Sequence, residues 1–166
     1  MSEPATGTRD ALVVVASTRA ADGTYTDRTG PLLVEWLRSR GFETPEAVVV
    51  ADAEIETVLG ELFADPGLLP RVLLTTGGTG ITDDDRTVEA VEPHLERTLP
   101  GVVQAFFTTG AAATPHAALS RAVAGTVGRT FVMTLPGSRG AVKDGIATLD
   151  PLIDHLADML EGHHAH

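Results

Sequence analysis

Residues Arg71 to Gly80 read RVLLTTGGTG. Arg71 to Thr76 reads as a buried strand, the kind covered on both faces. It runs straight into Gly77, Gly78 and Gly80, which let backbone N–H groups converge on an anion. The turn is therefore a candidate phosphate cradle, with a plain tight turn as the alternative. Two phosphate motifs are excluded. A Walker loop needs Lys and then Ser or Thr after its last glycine, whereas Ile81 and Thr82 follow here and the only lysine is Lys143. The dinucleotide fingerprint needs a third glycine where Asp83 stands.

The next residues are Asp83-Asp84-Asp85-Arg86-Thr87. Three adjacent carboxylates repel one another unless solvent or a cation screens them, and Mg²⁺ takes one or two carboxylates together with substrate phosphates. A magnesium-nucleotide site is one reading. A solvated acidic loop, with Asp85 or Thr87 capping the next helix, is the other. The DxDxT phosphatase motif is matched only superficially, because there the first Asp ends a strand directly.

Outward from this turn, strand-like and helical stretches alternate. Ala11–Ser17, Ala47–Val50 and Arg71–Thr76 read as strands; Pro31–Arg40 and Ala53–Ala64 read as helices. A helical pattern resumes at Thr87, breaks near Pro93, and returns over Gly101–Phe107. Ala122–Val127 and Thr130–Leu135 are separated only by Gly128-Arg129, the spacing of a hairpin. Helices over Ala141–Leu149 and Pro151–Glu161 follow, the second expected to start with Asp150 as N-cap and Pro151 as first residue. The expected fold is a three-layer α/β/α domain, its mostly parallel sheet edged by an antiparallel hairpin. In such sheets ligands bind beyond the carboxyl ends of the strands. That rule selects the loop after Ser17, with Arg19 and Asp27, then Asp52, the glycine turn, and LPGSRGAV at Leu135–Val142. Ser120-Arg121 precedes the hairpin.

A length of 166 residues fits one domain, expected over 11–161 between flexible ends at 1–10 and 162–166. The last four residues include His163, His164 and His166, which invite a metal reading, but the expected reading is a loose polar tail, because termini are usually loose. A net charge of −11 repels phosphate backbones and anionic lipid, so neither nucleic acid nor a membrane surface is an expected partner. With no cysteine there is no disulfide or thiolate chemistry, and no apolar run reaches membrane-spanning length. A cytoplasmic protein is expected.

These segments resemble the MoaB/MogA family of molybdenum-cofactor biosynthesis. The likeness rests on TTGGTG at Thr75–Gly80 followed by Asp85, Thr87, Glu89 and Ala90. It rests also on Asp27, Gly30 and Pro31, which resemble a DxSGP segment, and on Leu135–Val142, which resembles LPGSPxAV. The resemblance implies a homotrimer that uses Mg²⁺ and ATP to adenylylate molybdopterin and release pyrophosphate, with a molybdenum insertase as a partner. Carried over by position, Asp85 and Asp52 would be catalytic, with Asp85 at the metal. Thr76, Gly77, Gly78, Thr79 and Gly80 would bind nucleotide; Ser17, Ser120, Arg121, Pro136, Gly137 and Ser138 would bind molybdopterin. The alternative is a non-catalytic molybdopterin-binding paralogue acting as carrier or scaffold. Asp84 stands where the family usually carries Arg, so Arg86 or Arg139 would have to supply a guanidinium to phosphate. Thr18 stands in an early segment where many members carry an acid.

Overall fold

The computed structural model describes residues 8–163. Met1–Gly7 and His164–His166, which carry most of the expected flexible ends, lie outside the described residues. The strands are β1 (Ala11–Ala16), β2 (Val48–Val50), β3 (Val72–Thr76), β4 (Arg97–Thr98), β5 (Ala124–Val127) and β6 (Thr130–Leu135). They form one six-stranded sheet in the order β2-β1-β3-β6-β5-β4. β1, β2, β3 and β6 run parallel, and β5 and β4 close the edge antiparallel.

Helices cover both faces of the sheet because its central strands β3 and β6 are buried at every position. Val13, Val15, Leu74 and Met133 pack with α2 (Gly30–Ser39), α5 (Pro100–Ala113), α6 (Arg139–Leu149) and α7 (Ile153–Leu160). Val14, Ala16, Leu73 and Val132 pack on the other face with α3 (Ile55–Ala64) and α4 (Thr87–Val91). The period-two alternation along β1 thus feeds two cores rather than one core and solvent. A four-residue helix, α1 (Thr18–Ala21), starts immediately after β1. No helix among the described residues is long and apolar enough to cross a membrane.

The structure differs from the sequence reading at several elements. α1 and the two-residue β4 carry too few residues to show a period. α5 runs on past Phe107 to Ala113, where Thr108 and Thr109 donate their hydroxyls to the carbonyls of Gln104 and Ala105, a local pairing that accommodates them inside the helix. Pairing begins ahead of Ala11: Glu43 N donates to Arg9 O at 2.7 Å, and Ala11 N donates to Glu43 O at 2.9 Å.

Asp150 is not the N-cap of α7. It ends α6, and its Oδ1 accepts from Trp36 Nε1 at 2.8 Å; α7 is preceded by Leu152 without a side-chain cap. The carboxylate is drawn to the nearly buried indole, whose N–H would otherwise lose its partner on folding.

Because Trp36 is the only tryptophan, its fluorescence reports this bond directly. Asp150→Ala is expected to cost about 1 kcal/mol in urea unfolding and to shift the folded-state emission, while Asp150→Asn keeps an acceptor and stays near wild type. An alanine variant with unchanged stability and emission would refute the assignment.

Candidate functional site

β2 and β3 lie on opposite sides of β1, so the connections leave β1 and β3 in opposite directions and a crevice opens beyond their carboxyl ends. There a cleft of about 570 Å³ gathers Ser17, Thr18, Arg19, Asp52, Gly77–Thr82, Asp85, His116, Leu119, Ser120, Pro136 and Gly137.

The glycine turn makes its floor. A Cβ at Gly77 would stand 2.2 Å from Ala16 O, and one at Gly78 would stand 2.2 Å from Thr87 Oγ1; both residues have positive φ, +92° and +73°. Gly77 N donates to Leu135 O at 2.9 Å, which extends the sheet by one bond. Thr76 is fully buried and its hydroxyl donates to Pro136 O, so it supports the floor from below rather than lining the cleft. The amides of Gly78 and Thr79 meet no acceptor among the described residues. They are free donors in a buried turn, the property an anion cradle requires. The hydroxyls of Thr79 and Ser120 lie 2.9 Å apart.

The two aspartates flank this floor. Asp52 lies just beyond β2, and its Oδ2 accepts from Thr18 N and Oγ1 rather than capping the turn that follows. Asp85 folds back so that Oδ2 accepts from Thr82 N at 3.0 Å and Thr82 Oγ1 at 2.7 Å. Partial burial works to raise the Asp85 carboxyl, but the Thr82 donors, the Gly80 amide and the Arg121 charge outweigh it and hold the group below the usual carboxylate range. Neither Asp85 nor Thr87 caps α4, whose N-cap position is Arg86.

Arg121 sits under the loop rather than facing the cleft. Its Nε donates to Gly80 O at 2.8 Å, Nη2 donates to Asp85 O at 3.0 Å, and Nη1 pairs with Glu89 Oε1. The guanidinium holds the 80–85 loop, and Arg121 does not line the cleft with the other expected pterin-binding residues Ser17, Ser120, Pro136 and Gly137. Arg86 donates from Nε to Glu56 Oε1 at 2.7 Å and does not line the cleft. Ser138 caps α6 by accepting from Ala141 N, and Asp27 Oδ1 accepts from Thr29 N and Gly30 N at the start of α2; neither lines the cleft. Thr18, Thr82, His116 and Leu119 do line the cleft, and of these only Thr82 carried a sequence signal, its Thr-x-x-Asp spacing to Asp85. His163 lies with Asp158 and Glu161, their ligand atoms within 4.8 Å of one another, but Arg9 already bonds both carboxylates.

The fold and the position of this cleft define an open α/β domain with its site at the reversal of strand order. A family model described as "Probable molybdopterin binding domain" matches residues 12–155. The Molybdenum cofactor biosynthesis protein B of Staphylococcus carnosus is 36% identical over 88% of this chain and 86% of its own. The solved Molybdopterin biosynthesis Mog protein of Mycobacterium ulcerans superposes with a TM-score of 0.82 at 38% identity, covering 92% of this chain and 99% of that one. The chain belongs to the MoaB/MogA family of molybdenum-cofactor biosynthesis proteins. A bifunctional molybdenum cofactor biosynthesis protein of Chlorobaculum tepidum is 38% identical over 93% of this chain, which spans 49% of that relative's length.

Two outcomes test the geometry. Gly77→Ala should cost about 3 kcal/mol or more, because backbone strain adds to a collision with the Ala16 carbonyl. Gly128→Ala, also at positive φ but in open space, should cost only about 1–2 kcal/mol, and equal losses in chemical denaturation would dismiss the close approach. Glu89 is held below its ordinary range chiefly by its hydrogen bond to Arg121, so its contribution is complete above that range and disappears as pH falls through the lowered value. The stability gap between wild type and Glu89→Gln should therefore be full at neutral pH and close under acid; a gap independent of pH would contradict the pairing.

Proposed function

We propose that the chain adenylylates molybdopterin with MgATP. The observation that carries this reading is the pair of free amides at Gly78 and Thr79, set between two carboxylates in one cleft.

The donor set fits a hard divalent cation: Asp52 and Asp85 offer oxygen, no softer ligand is needed, and Asp85 is held ionised. Mg²⁺ bound there would neutralise charge on the nucleotide phosphates. The amides of Gly78 and Thr79 would donate to phosphate oxygens, assisted by the Thr79 and Ser120 hydroxyls. Asp85 would hold the cation side of the nucleotide, and Asp52 would orient the second substrate or its metal.

In the reaction, an oxygen of the terminal molybdopterin phosphate attacks the α-phosphorus of ATP. The bond from that phosphorus to the β-bridging oxygen breaks, and pyrophosphate departs with the electron pair. The nucleophile is already anionic, so the protein supplies no base. His116 at the rim is not required as one. The task left to the chain is to align two anions and screen their repulsion, which suits a floor of neutral donors flanked by metal-binding carboxylates.

Asp85→Asn keeps an acceptor for Thr82 while removing the charge, so it should fold normally and lose about a hundredfold or more in molybdopterin-dependent pyrophosphate release. Wild-type turnover in that variant would refute the role of Asp85. Tight molybdopterin binding by the wild-type chain without any pyrophosphate release would replace the enzyme with a carrier.

A further inference from the structure

Asp52 lies just beyond β2 and Asp85 lies in the loop between β3 and α4, yet each is held by the same device. Oδ2 of Asp52 accepts from Thr18 N at 3.0 Å and from Thr18 Oγ1 at 2.8 Å. Oδ2 of Asp85 accepts from Thr82 N at 3.0 Å and from Thr82 Oγ1 at 2.7 Å. In both cases one threonine grips one carboxylate oxygen at two points.

The grip on Asp52 is long-range, spanning 34 positions of chain. Thr18 Oγ1 also accepts from Asp52 N at 3.1 Å, so a single hydroxyl ties the exit of β1 to both the main chain and the side chain at the exit of β2. Local structure does not call for this bond. α1 is already capped by Ser17, whose Oγ accepts from Ala20 N at 3.2 Å. Packing does not call for it either, because Thr18 and Thr82 are both exposed. No donor among the described residues reaches Oδ1 of Asp52.

We propose that Thr18 and Thr82 are positioning residues for Asp52 and Asp85, fixing one oxygen of each carboxylate so that the other is presented to the cation and phosphates. This inference rests on the adenylyl-transfer reading above. An aspartate carboxylate turns freely about its terminal torsion, and every unproductive orientation reduces the competent fraction of the protein. A hydroxyl and an amide fix that torsion. Unlike a guanidinium, they leave the carboxylate charge uncancelled for a metal ion.

The test compares Thr18→Val and Thr82→Val, which keep the side-chain shape and the amide, with Thr18→Ser and Thr82→Ser, which keep the hydroxyl. Pyrophosphate release is followed against Mg²⁺ concentration. Mn²⁺ binding in the presence of ATP is measured separately by electron paramagnetic resonance, and thermal midpoints are recorded. Each valine variant should lower kcat and weaken Mn²⁺ binding by about three- to tenfold, with the half-saturating Mg²⁺ concentration raised to match, while the serine variants recover to within about twofold. A purely structural role would move the thermal midpoint and leave the cation dependence alone, and that result overturns the proposal. So does a serine variant as impaired as its valine counterpart. If the wild-type chain binds Mn²⁺ and ATP but releases no pyrophosphate, adenylyl transfer fails while the Mn²⁺ comparison still decides the positioning. A wild-type chain that binds no Mn²⁺ overturns both.

Discussion

Nothing larger than a hydrogen atom fits at Gly77, and the site is organised around that exclusion. A Cβ there would enter the carbonyl oxygen of Ala16, and the Cα already lies 3.2 Å from where a Cβ on Gly137 would stand. The exits of β1, β3 and β6 therefore converge at backbone contact. The Gly77 amide and the Thr76 hydroxyl, bonded to Leu135 O and Pro136 O, lock β3 to β6 at the same level. With these groups consumed by the sheet, the next two amides, Gly78 and Thr79, are left without an acceptor among the described residues. The crevice follows from strand order, but its floor of unpaired donors follows from glycine.

Electrostatics then decide what such a floor can hold. The chain carries a net charge of −11, and its guanidinium groups near the cleft are largely spent on its own acids: Arg86 on Glu56, Arg121 on Glu89. Arg19 is the arginine that lines the cleft. An anion entering this region meets amide and hydroxyl dipoles together with two carboxylates that would repel it. A divalent cation reverses that second effect, since it converts the carboxylates from a barrier into an anchor. On the proposed reading, neutral donors and metal dependence would thus be two sides of one charge distribution.

Much of the fold was legible because its central strands are short runs rich in Val, Leu and Thr without regular polar alternation, a pattern that demands cover on both faces. The glycine turn was legible because few backbones need three glycines within four residues. What failed to show has physical causes. α1 and β4 are shorter than one period of any pattern. Asp150-Pro151 has the composition of a helix start, but the long-range demand of the Trp36 indole outranks local capping. Arg121 could not be assigned from its type, because a guanidinium serves a phosphate and a set of carbonyl oxygens equally well; only coordinates show that its donors reach Gly80, Asp85 and Glu89. The partners of Asp52 were hidden for the same reason, since sequence spacing says nothing about a bond across 34 residues.

The residue before Asp85 sets the balance of charge beside this carboxylate. An arginine there would bring a cation beside the carboxylate and lessen its hold on a metal while attracting phosphate itself. Asp84 does neither; it is exposed, and the neighbouring Arg86 turns to Glu56 on α3. The loop is instead held from beneath by Arg121 and internally by the Thr82 grip, both acting through hydrogen bonds that leave the Asp85 charge intact. On the proposed reading, affinity for phosphate would rest on backbone amides and a bound cation rather than on direct guanidinium contact. On that distribution of forces, the orientation of two carboxylates matters more than the number of positive charges around them.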